Sequence, residues 1–250
     1  MKKGSPRLRT VEKVRPPFPL NEFGPQFPYI LGREIAYLLA SKGRASLEGE
    51  EWEQIFAACI GAEWKPSNVG LDDVVLSNTA WGAKTVKSPV KDFTKLKRVR
   101  LISGRNSPVY SYGEQIDTSC NPDELGAMVL DIWNERVSAV REKFKHLRTV
   151  VLVKSNDLTQ LAVFEYDTVR YDAELFEFSW NKNGNLEGHQ RGSGEKRFVW
   201  QPHGSQFTII EEVPQETLVV TVQKPEPLDK EMILEAMGFD NRWVGIRRVR

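Results

Sequence analysis

Between Gly70 and Pro89 the chain reads GLDDVVLSNTAWGAKTVKSP, which sets two adjacent carboxylates, Asp72 and Asp73, against one lysine, Lys84. The apolar runs Val74–Leu76 and Ala80–Trp81 read as the two arms of a β-ribbon. A ribbon usually keeps its charges at the turn, but here they fall inside both arms and share a surface. Alternation sends neighbouring side chains to opposite faces of a strand. At most one aspartate therefore points with Lys84, and Asp72 is taken as the better candidate. Two chemistries suit this arrangement. The charges decorate a solvated sheet face, with Lys84 guarding an exposed edge against mispairing. Or they form a metal-dependent centre that cuts phosphodiesters.

Whichever holds, flanking elements must position these groups. GREIAYLLASKG (32–43) reads as a short helix with Ile35, Leu38 and Leu39 on one side. SLEGEEWEQIFAACIGAEW carries Trp52, Ile55, Phe56, Cys59 and Ile60 at helical spacing, opened by Ser46 or Gly49. After the ribbon, KLKRVRLISG (95–104) reads as a third strand and RNSPVYSYG as a loop or strand end. The clearest element is NPDELGAMVLDIWNERVSAVREKFKHL, a helix capped by Asn121 with Pro122 in its first turn and an apolar stripe from Leu125 to Leu147. TVVLVK (149–154) has the unbroken apolar character of a strand buried on both faces. From 161 onward the period is two, in LAVFEYD, ELFEFSW, KRFVWQP, SQFTIIEEV and ETLVVTVQ, with NKNGN and RGSG as turns. We expect an irregular, basic, Pro-rich arm over 1–28 and one composite domain over 29–250.

The bulk composition agrees with a globular protein. The chain has 250 residues, 40% of them hydrophobic and 28% charged. No apolar run approaches the ~20 residues that span a bilayer. The basic start has no apolar stretch behind it, unlike a secretory signal, and two cysteines, Cys59 and Cys120, are too few for a disulfide framework. A cytoplasmic location with no membrane partner is expected. Net charge is +1, yet Lys2, Lys3, Arg7, Arg9, Lys13 and Arg15 crowd the first fifteen residues, and 91–100 and the C-terminus are also basic. Segregated basic stretches suit a polyanion on one side, and equally suit ordinary solvated faces. Zinc-ligand spacing, a P-loop, a Rossmann glycine pattern and G-x-S-x-G are absent from the sequence.

Read in order, residues 46–154 run helix, strand, strand, strand, long helix, strand. This order resembles the PD-(D/E)XK nuclease superfamily, which includes many type II restriction endonucleases and the mismatch-repair nicking endonuclease. GEEWEQIF is similar to the family helix in which a glutamate follows an aromatic residue, which places Glu53. GLDD is similar to the metal-binding aspartate at the start of the hairpin, WGAKT to the strand that ends in lysine, and PHGSQFTI to a late His-Gly segment of some monomeric restriction enzymes. The chain departs from the pattern at Gly82, where the family has an acid two residues before the lysine. The resemblance implies an α/β (α+β) fold: a restriction-endonuclease-like mixed central sheet flanked by helices, with residues 155–250 as an antiparallel β elaboration.

It also implies a mechanism. Phosphodiester hydrolysis needs an activated water, neutralised phosphate oxygens and help for the leaving oxygen. Mg²⁺ supplies much of this and binds carboxylates, carbonyls and waters. Asp72 or Asp73, Glu53 and the Ala83 carbonyl would be its ligands, and Lys84 would orient the water and stabilise developing charge. Double-stranded DNA is the implied substrate, a restriction endonuclease the implied activity, and a homodimer an option left open. Groove and phosphate contacts call for Arg, Lys, Asn, Gln and aromatic groups. Arg105, Asn106 and Tyr110 in one stretch, and His189, Arg191, Lys196, Arg197 and His203 in another, are the candidates, against a reading as plain hairpin loops. Gly82 leaves a second function class standing: a nuclease frame without catalysis, serving as a DNA-binding or protein-interaction module.

Overall fold

The computed structural model describes residues 14–66, 70–113 and 121–248, with Thr94 described by its backbone alone. The expectations for Lys2, Lys3, Arg7, Arg9, Lys13 and Cys120 lie outside the described residues. The helices are α1 (Phe27–Lys42), α2 (Gly49–Ile60), α3 (Pro108–Tyr112), α4 (Pro122–Arg141) and α5 (Lys230–Ala236). The strands are β1 (Glu63–Trp64), β2 (Val74–Leu76), β3 (Thr79–Lys87), β4 (Arg98–Arg105), β5 (His146–Lys154), β6 (Gln160–Asp167), β7 (Phe176–Trp180), β8 (Leu186–Gln190), β9 (Lys196–Gln201), β10 (Gln206–Glu212) and β11 (Leu218–Thr221). The architecture is α+β, with a six-stranded mixed sheet in the order β1-β2-β3-β5-β6-β11 and a five-stranded antiparallel sheet in the order β4-β10-β9-β8-β7. Among the described residues no helix is long and apolar enough to cross a membrane.

The ribbon forms as its sequence suggests. β2 and β3 join through Ser77-Asn78, with Ser77 in the left-handed region at φ 55° and Leu76 paired to Thr79. β3 then runs parallel to β5 in unbroken register from Thr79–His146 to Lys87–Lys154. The Asn78 carbonyl sets the start of that pairing by accepting the N–H groups of Lys145 and His146. The strand β5 is buried over Leu147–Val153. Its Val150 and Leu152 pack toward α1 and α2, and Val151 and Val153 pack with Val99, Leu101 and Phe164.

Helix α2 is fixed at its start by Glu48, whose N–H donates to Glu51 Oε2 at 2.8 Å, a reciprocal use of orphan donors. The cap is thus Glu48 rather than Ser46 or Gly49. Asn121 caps α4 as expected, its Oδ1 accepting the Asp123 N–H at 2.9 Å. Leu125, Val129, Leu130, Trp133, Val137 and Val140 of α4 are buried against Phe178, Leu186, Phe198 and Phe207 of the second sheet.

Several expectations need correction. α1 opens at Phe27, before the 32–43 reading, because Phe27 and Leu31 extend the buried stripe of Ile35, Leu38 and Leu39. The expected third strand, β4, does not join the central sheet but pairs with β10, from Arg98–Glu212 to Arg105–Gln206. RNSPVYSYG forms the short helix α3, capped by Ser107 Oγ. α4 stops at Arg141, so Leu147 belongs to β5. The antiparallel strands expected after 155 are present and divide between the two sheets: β6 and β11 extend the first, while β7 to β10 build the second around β4. β8, between the NKNGN and RGSG turns, is a strand beyond those expected from the sequence.

Candidate functional site

Register decides which aspartate faces the lysine. Val74 pairs with Trp81, and both belong to the core against α1 and α2. The preceding residue, Asp73, therefore shares the opposite face with Gly82 and Lys84. Asp73 is 4% exposed, and its Oδ2 accepts the Ala83 N–H at 3.3 Å. The preference for Asp72 is overturned by that parity. Asp72 is half-buried, and its Oδ1 is buried with no hydrogen-bond partner among the described residues.

Lys84 is half-buried and donates through Nζ to the Gly70 carbonyl at 3.3 Å. Glu53 reaches the same region from α2, with Oε2 accepting the Trp64 Nε1–H at 3.1 Å. The Glu53 charge is felt by both Asp73 and Lys84. At Ala83 the contact made to the site is through its N–H, not the carbonyl that the resemblance implies.

The electrostatics are those of charges held out of water. Burial lifts the Asp73 pKa from 3.8 to about 6; Lys84 and the Ala83 N–H oppose the rise, and Glu53 and Asp72 add to it. Burial likewise pushes Lys84 down, with Asp73 as its main counterweight and Arg136 adding to the drop. Titratable groups displaced by both burial and specific neighbours mark functional-site candidates.

Gly82 has a structural reason. A Cβ there would lie 3.1 Å from the Gly70 carbonyl oxygen and 3.1 Å from Leu71 Cα. The strand and the 70–71 backbone approach so closely that any side chain at 82 would require that backbone to give by a few tenths of an ångström. The same approach brings the Gly70 carbonyl to Lys84.

Arg136, absent from the sequence-derived candidates, completes the cluster. It projects from α4, donating through Nη1 to the Ser103 carbonyl at 2.6 Å and to Asn106 Oδ1 at 3.2 Å. Its position at the edge of the apolar stripe, three residues after Trp133 and one before Val137, was the available signal. Burial pushes its pKa down, while the Asp73 charge opposes that.

The groups expected to read DNA separate. Asn106 is fully buried, with Nδ2 donating to the Val129 carbonyl at 2.9 Å and its own carbonyl accepting Trp200 Nε1–H at 2.7 Å. It is a scaffold residue, not a base reader. Arg105, Tyr110 and His203 are exposed, and the pairing of Arg105 with Gln206 puts the β9–β10 turn carrying His203 beside Arg105. His189, Arg191, Lys196 and Arg197 lie toward the other end of β8 and β9. There Lys196 pairs with Glu187 at 2.7 Å, Arg197 with Glu211 at 2.9 Å and Arg191 with Asp123 at 3.4 Å. His189 Nε2 stands 3.8 Å from Glu187. That end is occupied by internal ion pairs.

Among the described residues no three His, Cys, Asp or Glu side chains gather as a metal-holding group. Mg²⁺ commonly takes one or two protein carboxylates and keeps several waters. In that sparse mode Asp73 and Glu53 would be the two carboxylates, with waters completing the shell. Compared with protein-family models, curated proteins and solved structures, the chain matches none of them, so the residues themselves carry the functional reading.

Proposed function

We propose that the chain is a Mg²⁺-dependent endonuclease of the restriction type, hydrolysing phosphodiester bonds of double-stranded DNA in the cytoplasm. The observation that carries this reading is the juxtaposition of Asp73 and Lys84 on one face of the ribbon, with Glu53 brought in from α2. Asp73 and Glu53 would hold the cation, which would supply charge neutralisation at the phosphate and a more acidic water. Lys84, already tied to the Gly70 carbonyl, would orient that water and stabilise charge on the phosphoryl oxygens. The half-buried setting strengthens each of these interactions relative to bulk water. Arg105, Tyr110 and His203 supply an exposed rim for the duplex, and a homodimer would give the two-strand symmetry that paired cuts require.

A second reading is favoured by one observation: the closure over Gly82 removes the family's acid position. It makes the chain a DNA-binding or protein-interaction module that kept the frame and lost catalysis. Incubating supercoiled plasmid with the purified chain in Mg²⁺, and in EDTA, separates the two. Nicked or linear product that needs Mg²⁺ and is lost in Lys84→Ala supports the nuclease. Plasmid bound but intact at every Mg²⁺ concentration favours the second reading.

A further inference from the structure

Residues 228–246 carry apolar side chains without a core to put them in. α5 has no buried residue, and Met232, Ile233 and Met237 fall on one side of it at helical spacing. Met232 is 70% exposed; beyond the helix Trp243 is 57% and Ile246 86% exposed, with Phe239 and Val244 open beside them. Phe239 and Trp243 meet edge to face at 5.6 Å, so the aromatic pair is held in shape while much of it faces water. Apolar groups gathered in this way on a surface mark a place where another surface attaches.

A matching groove lies on the same chain. β11 is the edge strand of the six-stranded sheet, paired to β6 on one side only, and an open strand edge is a ready place for a second chain. Between that edge and α1 runs a cavity of about 520 Å³, lined by Pro28, Tyr29, Ala36, Val219 and Val222 among others and by no charged residue. Tyr29 stands 75% exposed at its rim. Such a lining receives apolar side chains and has no charge to offer a phosphate. None of it comes from residues 228–246. The Leu228 N–H donates to the Ala40 carbonyl at 2.9 Å, toward the other end of α1 from Pro28. Lys224–Pro227 border α1 there at Leu39 and Gly43, and the two prolines stiffen the exit of the arm.

We propose that residues 228–246 of one copy seat in the groove between β11 and α1 of a second copy, reciprocally, giving a two-fold homodimer. Each chain brings one arm and one groove, so a pair about a two-fold axis satisfies both at once and leaves no open end. The size fits. Aromatic side chains bury roughly 150–250 Å² each, so Tyr29, Phe239 and Trp243 with their aliphatic neighbours, taken in both copies, reach the roughly 1,200 Å² at which specific interfaces begin. The contact rests on the homodimer of the nuclease reading and gives it a place, but it uses none of Asp73, Lys84 or Glu53.

The test is sedimentation velocity of the full chain across a micromolar concentration series. The wild type should pair, and Trp243→Glu in the arm and Tyr29→Glu in the groove should each weaken pairing about a hundredfold, because the two-fold axis repeats the loss at both contacts. Both positions are exposed, so the variants should keep the far-ultraviolet circular dichroism of the wild type. Should Trp243→Glu misfold, Met232→Glu takes its place with the same expected result. Mixing the two variants gives the sharper readout. A mixed pair keeps one intact contact, the groove of Trp243→Glu taking the arm of Tyr29→Glu, whereas either variant alone keeps none. The mixture should therefore associate about tenfold more tightly than its parts. A wild type that stays monomeric would overturn the proposal, including one that binds anionic lipid vesicles through Trp243 instead. Dimers indifferent to both variants, or a mixture no tighter than its parts, would overturn it too. Plasmid cleavage reports separately on catalysis. A wild type that pairs and leaves plasmid intact in Mg²⁺ keeps the dimer and removes the nuclease, and one that cuts as a monomer does the reverse.

Discussion

Strand β3 carries two polar clusters on its two faces, and they are built in opposite ways. Behind Trp81, the Arg148–Glu165 pair closes at 3.1 Å with side chains 4% and 0% exposed. Glu165 also accepts Trp81 Nε1–H at 2.5 Å and the Asn21 N–H at 3.1 Å. Arg148 donates to the Phe18 carbonyl at 2.9 Å and lies over the Phe18 ring. This cluster pins residues 18–21 to the sheet, and Arg148 Nε is its one unpartnered buried atom among the described residues. On the other face, Asp73 and Lys84 share one surface without closing into an ion pair with each other, and burial pushes Asp73 toward its neutral form. A saturated network holds a fold together, whereas an unsaturated one raises the energy of the fold and is ready to take up a ligand.

Substitutions should separate the two faces. Glu165→Ala strands Arg148 as a lone buried cation and should cost about 3–5 kcal/mol of stability in urea unfolding; a loss under 1 kcal/mol would show that the lock is not structural. Lys84→Ala should lower cleavage by ~10²-fold or more, with stability near wild type by the same urea assay. A matching loss of stability would make Lys84 a core residue.

Asp73→Asn should raise stability above pH 6 in EDTA. With its folded pKa near 6 and its ordinary value 3.8, ionised Asp73 opposes folding at neutral pH. That opposition fades as pH falls from about 6 toward 4. The variant's advantage should then be on the order of 1–3 kcal/mol at pH 7.5 and vanish near pH 4. A variant less stable than wild type at pH 7.5 would contradict this. Asp72→Asn should have the smallest effect, roughly tenfold or less on cleavage, because parity turns Asp72 away from Lys84. Equal losses at both aspartates would mean that they act as a pair.

The local parts of this arrangement were legible in the sequence. Asn121 and Pro122 announced α4, Trp52 and Phe56 announced the inner face of α2, and the ribbon placed Lys84. Had Ser77-Asn78 been read as a two-residue turn, its register would have set Asp73 opposite Gly82 and so chosen between the aspartates. The rest depended on distant partners. β4 looks like any alternating strand, and its pairing with β10, far along the chain, places it in the second sheet. Asn106 has the composition of a loop reader, but Trp200 and Val129 close over it. Gly82 looked like a lost acid and is instead a point of close backbone approach.

The most direct test of the open face needs no substrate. Binding to the folded state alone raises the melting temperature by mass action. Thermal unfolding of the wild type and Asp73→Asn should therefore be measured with and without millimolar Mg²⁺ at pH 7.5. The expected result is a Mg²⁺-dependent rise in the wild type that disappears in Asp73→Asn. No rise in the wild type, or an equal rise in both proteins, would contradict a cation site at Asp73.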